Sequence, residues 1–298
     1  MKVCAIVVTY NRLAFLKTCI NRLKSQSQKL DLIIVVNNGS SDGTKDWLEE
    51  QNGIKCIHQA NLGGAGGFNA GMQYAYKQDV LFDFFWLMDD DVYPHIDCLS
   101  NLVANAKTDD GIVAPLRFQN DKIFLNEHLK INFENPWKPL LVGKVNQEMV
   151  NSDDLEVGCI TFEGPLIRRE VIDKIGFPDK DFWIFMDDTD FSYRTTLAGY
   201  NIRLIHSAKM DKEVIPKTVI HHQLWRIYYL TRNAVYLDRV YGNFKVKTIR
   251  PFLKLVSFLL RRTPEMMFLY HKPLVAIKQI PVYFRAFFNG MRRKRIDY

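Results

Sequence analysis

Apolar strand-like runs at residues 3–8, 31–36, 54–58 and 83–88 alternate with plausible helices at 13–25, 44–52 and 68–78. That alternation predicts βαβ units and a mostly parallel sheet covered by helices. A further helix over 94–107, with Pro94 in its first turn, and a strand over 112–115 continue the rhythm. The first 115 residues therefore read as a Rossmann-type α/β half. In such sheets ligands bind beyond the carboxyl ends of the strands, where Thr9, Asn37, Asn38, a glycine cluster and Asp89 to Asp91 are expected to converge.

From 116 to 158 Asn, Asp, Lys and Pro break any long period, which predicts a long loop, either substrate-facing or plain mobile surface. Order returns at Ile160 to Ile167 and continues as a short helix to Ile175. An acidic segment, Asp187-Asp188-Thr189-Asp190, then leads into a helix over Asp190 to Leu197 that Gly199 ends, followed by a strand at Asn201 to Ile205. The expected division is a domain at 1–222, with halves at 1–115 and 116–222, and a helical basic extension at 223–298.

Composition narrows the class. With 298 residues, 47% hydrophobic and 24% charged, the chain is neither disordered nor low-complexity, and it shows no internal repeat. Cys4, Cys19, Cys56, Cys98 and Cys159 are odd in number and lack a paired metal spacing, which argues against a disulfide framework and for a reducing cytosol. The N-terminal apolar run is too short for a secretory signal, and no segment approaches the roughly 20 apolar residues of a spanning helix.

The net charge of +7 hides an asymmetry. Lys245 to Tyr298 carry thirteen Lys and Arg against two acids, whereas the remainder, with 27 basic and 31 acidic residues, is slightly acidic. The tail interleaves these cations with Phe252, Phe258, Phe284, Phe287 and Phe288. Basic amphipathic segments bind anionic membrane surfaces, while a solvated helical cap is the simpler reading. Cations and aromatics also suit nucleic acid, but no recognised module accompanies them, so no nucleic-acid partner is expected.

Three constellations can carry chemistry. Trp86-Leu87-Met88 ends in Asp89-Asp90-Asp91, and three adjacent carboxylates suggest relief by a divalent cation, Mg2+ or Mn2+ for oxygen-only ligands. A hydrated exit that caps the next helix is the alternative. Asn61-Leu62-Gly63-Gly64-Ala65-Gly66-Gly67-Phe68 opens a helix and would let backbone approach an anion, although it is neither a GxGxxG fingerprint nor a P-loop. Asp187 and Asp188 lie beside Phe182, Trp183 and Phe185, a setting that can raise a carboxylate pKa enough for general-base work; helix capping is the other reading.

Val7-Val8-Thr9-Tyr10-Asn11-Arg12, Val35-Val36-Asn37-Asn38-Gly39-Ser40-Ser41-Asp42, the glycine cluster and the three aspartates follow an order that resembles family 2 of the inverting glycosyltransferases, with the GT-A fold. The likeness covers residues 1 to about 240. Asn61 to Phe68, the three aspartates and Tyr228-Tyr229-Leu230-Thr231-Arg232-Asn233 narrow it to bacterial galactofuranosyltransferases.

This resemblance implies metal-dependent transfer of galactofuranose from UDP-galactofuranose to a surface glycan or lipid-linked acceptor, at the inner face of the cell membrane. Rhamnosyl or hexopyranosyl transfer is the alternative within the class, and a non-catalytic membrane or nucleic-acid binding protein the alternative outside it. Thr9, Tyr10, Asn11, Asn37 and Asp42 would line the nucleotide, with Asn37 standing where many relatives have aspartate. Leu62, Gly63, Gly64, Gly66 and Gly67 would follow the ribose, diphosphate and sugar. Asp89 and Asp90 would serve the nucleotide sugar, Asp89 and Asp91 the metal, and Asp188 would act as base assisted by Asp187. Relatives add a histidine ligand: here His221 and His222 are the candidates, ahead of His206, and Asp211 could substitute.

Overall fold

The computed structural model describes residues 1–151, 155–213, 224–264 and 273–292. The first half alternates as β1 (Val3–Thr9), α1 (Leu13–Lys24), β2 (Leu32–Asn37), α2 (Thr44–Glu49), β3 (Ile54–His58), α3 (Gly63–Tyr76) and β4 (Phe84–Asp89). Next come β5 (Val92–Pro94), α4 (Cys98–Asn105), β6 (Asp110–Gln119), β7 (Lys122–Phe124), β8 (His128–Ile131), β9 (Leu141–Lys144) and β10 (Leu155–Glu156). Then β11 (Leu166–Arg168), α5 (Arg169–Ile175), a 3-10 turn (Lys180–Phe182), α6 (Asp187–Leu197) and β12 (Asn201–Lys212) complete the first unit.

Among the described residues ten strands form one sheet, in the order β10-β12-β6-β11-β4-β1-β2-β3, with β5 on β12 and β7 on β6. β1 runs parallel to β2 and β4, β2 to β3, and β6 to β12. β11 lies antiparallel between β4 and β6, joining the two parallel groups.

Period-two alternation sends the strand side chains to two cores. Ile6, Val8, Ile34, Val36, Phe85 and Leu87 face one way and meet Phe68 and Met72 of α3. Val3, Ala5, Val7, Val35, Trp86 and Met88 face the other and meet Leu16, Ile20 and Leu23 of α1 with Leu99 and Leu102 of α4. Both faces are covered, which explains why these strands read as continuous apolar runs.

Several boundaries differ from the sequence reading. Pro94 ends a short strand paired with Met210 instead of opening a helix, and the helix begins only at Cys98. The stretch from 116 to 158, expected as loop, carries the end of β6 and β7 to β10, short strands that its Asn and Pro residues had masked. β12 runs past Ile205 to Lys212 through a register shift between Ile205 and Lys209. α3 starts five residues early, inside the glycine cluster, because Gly67 and Gly71 let it lie directly on Val8 and Ile6.

Residues 131–142 group with the C-terminal helices as a second compact unit. Its helices are α7 (Leu224–Tyr241), α8 (Phe244–Ser257) and α9 (Pro273–Arg292). Asp238 of α7, wholly buried, accepts from Arg250 (2.7 Å) and Lys254 (2.6 Å) of α8. Asn243 caps α8 by accepting from the Val246 amide at 2.9 Å. No helix among the described residues is long and apolar enough to cross a membrane.

Candidate active site

Register places the chemistry at one end of the sheet. Val8 pairs with Asp89 and Thr9 with Asn37, so the carboxyl ends of β1, β2 and β4 are level. Thr9 Oγ1 donates to Asp90 at 2.7 Å, and Arg12 donates to Asp90 (3.3 Å) and to Asp91 Oδ2 (3.1 Å). Lys212 Nζ reaches the other oxygen of Asp91 at 3.2 Å and Glu163 at 2.7 Å. Behind it the buried Arg117 donates to Glu163 and Glu127, and to Thr161 Oγ1 at 2.5 Å.

The electrostatics follow from this crowding. Burial first, then Asp91 and Glu163, push the Asp89 carboxyl well above the ordinary range against the pull of Lys212. Burial lifts Asp90 to about 6 although Arg12 and Thr9 oppose it. Glu163 goes the other way, because Arg117 and Lys212 outweigh the effect of its burial and hold it low.

Asp90, Asp91, Glu127 and Glu163 thus face Arg12, Arg117 and Lys212, an excess of one negative charge that grows when the neighbouring Asp89 ionises. Oxygen donors with that excess suit a hard divalent cation. No group of three or more His, Cys, Asp or Glu side chains placed to hold a metal occurs among the described residues; Asp89 and Asp91 are the carboxylates that could hold one.

The second acidic segment opens α6, three residues earlier than expected. Asp188 Oδ1 accepts from the Thr189 amide at 2.6 Å and its hydroxyl at 3.2 Å, and no donor among the described residues is bonded to Oδ2. Burial raises both Asp187 and Asp188; Asp188 adds to the rise at Asp187, and Glu163 to that at Asp188 while Arg117 moderates it. Asp190 plays a different part, gripping Arg194 Nε at 2.8 Å while Arg194 also donates to the carbonyls of Ile175 and Phe177.

The turn before these acids is strained. Trp183, Phe185 and Met186 all have positive φ, from 65° to 66°, a region that costs non-glycine residues about 1–3 kcal/mol each. The glycine helix holds this turn. Gly63, with φ +74°, sits so close to the Trp183 carbonyl that any Cβ would overlap it, and the Ala65 amide donates to that carbonyl at 3.2 Å.

The cluster is therefore explained partly by packing. Gly66 abuts Leu62, and Gly67 abuts Val8 and Asn38, whereas a Cβ on Gly64 would meet nothing within 4 Å. Asn61 takes the Gly63 amide at 2.9 Å, so two first-turn N–H groups already have protein partners.

Of the residues expected at the nucleotide, Tyr10 and Leu62 are exposed by 47% and 46% beside the buried Thr9 and Asn37. Asn37 accepts from the Ser40 amide at 2.9 Å and meets His58 at 3.3 Å. Asn11, at φ 52°, ties its loop to the next by accepting from Ser41 N at 2.7 Å. Asp42 accepts from the Leu13 and Thr44 amides and the Thr44 hydroxyl, bonds that outweigh slight burial and lower its pKa. It thereby satisfies the first amide of both α1 and α2.

His221 and His222 lie outside the described residues. His206 bonds the Val150 carbonyl through Nδ1. Asp211 is turned away from Asp91 by strand alternation and pairs with His95 at 3.1 Å, so it does not join the aspartates; Lys212 does. Arg117 and Glu163 had escaped the sequence reading. Their signal was a lone charge inside an apolar stretch, Leu116-Arg117-Phe118 and Phe162-Glu163-Gly164, which a folded interior accepts only when paired.

A mostly parallel, helix-covered sheet with aspartates at the end of β4 and a second acidic pair opening α6 is an arrangement of GT-A type. The sequence profile of glycosyl transferase family 2 matches residues 4–176, and the chain belongs to that family.

It is 30% identical over 204 residues to galactofuranosyltransferase GlfT1 of Mycolicibacterium smegmatis, a match covering 66% of each chain. It thus spans slightly under two thirds of that relative. It is 25% identical over 252 residues to the dTDP-rhamnosyl transferase RfbF of Shigella flexneri, covering 79% of each. The fold matches the mannosyltransferase PcManGT of Pyrobaculum calidifontis, solved with GDP-Man and Mn2+, with TM-score 0.55 at 14% identity, over 99% of this chain and 88% of that one.

Proposed function

We propose that the chain transfers galactofuranose from UDP-galactofuranose to a hydroxyl of a bacterial surface glycan, with inversion. The observation that carries this reading is the strained turn locked on Gly63. That turn leads directly into Asp187 and Asp188 at the start of α6, and Asp188 has Glu163 and Arg117 as charged neighbours. Similarity to GlfT1 supports the choice of sugar.

In this reading Thr9, Tyr10, Asn11, Asn37 and Asp42 shape the nucleotide end. Leu62, Gly63, Gly64, Gly66 and Gly67 border the diphosphate and sugar, and Asp89 and Asp90 orient the donor. Asp188 Oδ2 takes the proton of the acceptor hydroxyl while that oxygen attacks the anomeric carbon from the face opposite the diphosphate. The bond to the diphosphate oxygen breaks with its electron pair, and UDP leaves. Asp187, raised by burial and then by Asp188, supports the charge balance of the pair. A Mn2+ or Mg2+ ion held by Asp89 and Asp91 would neutralise charge gathering on the leaving diphosphate.

The helical unit supports a peripheral place at the inner face of the cell membrane. Phe244, Phe252, Leu260, Leu274, Ile277 and Phe288 are all more than half exposed there, with Lys245, Lys247 and Lys278 also exposed. Apolar burial together with attraction to anionic lipid would hold it to a membrane that carries a lipid-linked acceptor.

A rhamnosyl donor is the second reading, favoured by the longer match to RfbF. A donor screen decides: UDP released from UDP-galactofuranose, but no nucleotide from UDP-galactopyranose or dTDP-rhamnose, supports the first. Turnover of dTDP-rhamnose alone moves the assignment to the second. No turnover of any sugar nucleotide leaves a non-catalytic binding protein.

A further inference from the structure

Lys212 occupies an unusual place. It is the last residue of β12, its side chain is 13% exposed, and its ammonium bridges Asp91 Oδ1 and Glu163 Oε1. Arg12 holds Asp91 Oδ2 at 3.1 Å. Both oxygens of the aspartate expected to bind a divalent ion are thus engaged by cations of the protein. Arg12 is 39% exposed and shared with Asp90, so water can compensate its release. Lys212 is largely sequestered, and a divalent ion on Asp91 would face its ammonium across a space with little solvent screening.

We propose that Lys212 is a resident counter-ion that makes divalent-cation binding by Asp91 conditional on an incoming nucleoside diphosphate. This deepens the metal-assisted reading above and rests on it. With no diphosphate present, a metal ion gains Asp91 only by leaving the ammonium beside a like charge. A diphosphate supplies new oxygens for Lys212 as well as for the metal, so Asp91 can exchange one cation for the other without net repulsion. Glu163, fixed by Arg117, tethers the ammonium at 2.7 Å and keeps it near both sites through the exchange. Metal and diphosphate then bind with positive coupling, and linkage requires that each strengthen the other equally.

The test is Mn2+ binding, followed by the electron paramagnetic resonance signal of the free ion, with and without saturating UDP. The full chain is used as wild type, Lys212→Met and Lys212→Arg. In the wild type UDP should tighten Mn2+ about tenfold or more, within the usual span of allosteric coupling. Lys212→Met should bind Mn2+ alone about tenfold more tightly than wild type and lose most of the UDP effect, whereas Lys212→Arg should keep the wild-type pattern. Lys212→Gln carries the same expectation as Met if the Met variant melts early.

Unchanged Mn2+ affinity and unchanged UDP enhancement in Lys212→Met overturn the counter-ion role while leaving the metal reading intact. Absence of Mn2+ binding to wild type even with UDP removes the metal reading, and this inference with it.

Discussion

The α-carbon of Gly63 lies so close to the carbonyl oxygen of Trp183 that no side chain fits between them. The glycine that opens α3 and the residue that begins the strained turn before Asp187 therefore hold each other in place. Gly63→Ala faces both this overlap and a φ of +74°. It should destabilise the fold by about 2 kcal/mol or more and reduce transfer further than the loss of folded protein explains. Thermal melts beside single-turnover rates on the folded fraction check this; a folded variant with wild-type turnover would show that the turn does not depend on the contact.

Asp188→Asn keeps the shape of α6 while removing the proton acceptor. Sugar transfer should fall by about 10²–10⁴-fold with donor affinity retained, the usual contribution of a positioned general base. Isothermal titration with UDP and a turnover assay separate the two effects. Near-normal turnover would exclude Asp188 as the base.

The pH profile should carry the mark of that base. The carboxyl of Asp188 is lifted to about 6, with burial the largest cause and Glu163 a further one. The deprotonated form is the active one, so kcat/KM should rise with pH through this region and level off above it. Glu163→Gln removes a neighbouring negative charge, favours the carboxylate at Asp188, and should move the acid limb to lower pH. A limb that stays in place or moves upward contradicts the assignment.

Arg117 is 1% exposed and serves both Glu127 and Glu163. Arg117→Met leaves two buried carboxylates without their shared cation and should cost about 3–5 kcal/mol, as expected when one partner of a buried ion pair is removed. Denaturant unfolding monitored by tryptophan fluorescence measures it. A cost below about 1 kcal/mol would mean that water compensates the acids.

Membrane attachment through the helical unit can be tested at single positions. Phe252→Asp and Phe244→Asp, at side chains 60% and 81% exposed, should weaken sedimentation with vesicles containing anionic lipid and leave the melting temperature nearly unchanged. Undiminished sedimentation would place the membrane contact elsewhere.

β1, β2 and β4 were readable because each is buried on both faces, so Val3 to Val8 or Phe84 to Met88 shows no polar interruption, whereas β3, at the sheet edge, was legible from its apolar alternation around Lys55. The three aspartates stood out for the complementary reason: charge begins abruptly where burial ends. Short strands such as β7 and β9, half-exposed and flanked by Asn and Gly, left no comparable pattern. The start of α3 was hidden by its glycines, which lower helix propensity, yet backbone packing on Val8 and Ile6 overrides it. Lys212 and Glu163 could not be paired by reading along the chain, since their meeting depends on β12 continuing beyond its register shift. Asp42, expected at the nucleotide, also accepts from the Leu13 and Thr44 amides, contacts that spacing along the chain does not announce.

The strand order has a practical consequence for chemical labelling. All five cysteines are free, and four are buried. Their thiols are pushed up by burial, so the nucleophilic thiolate is scarce at neutral pH. Burial raises the Cys56 thiol as well, but Cys56 is only half-buried and lies on β3, an edge strand of the sheet, so it is the most accessible of the five. A maleimide should therefore attach a single reporter at Cys56 in the native protein, giving a spectroscopic handle without removal of any other cysteine.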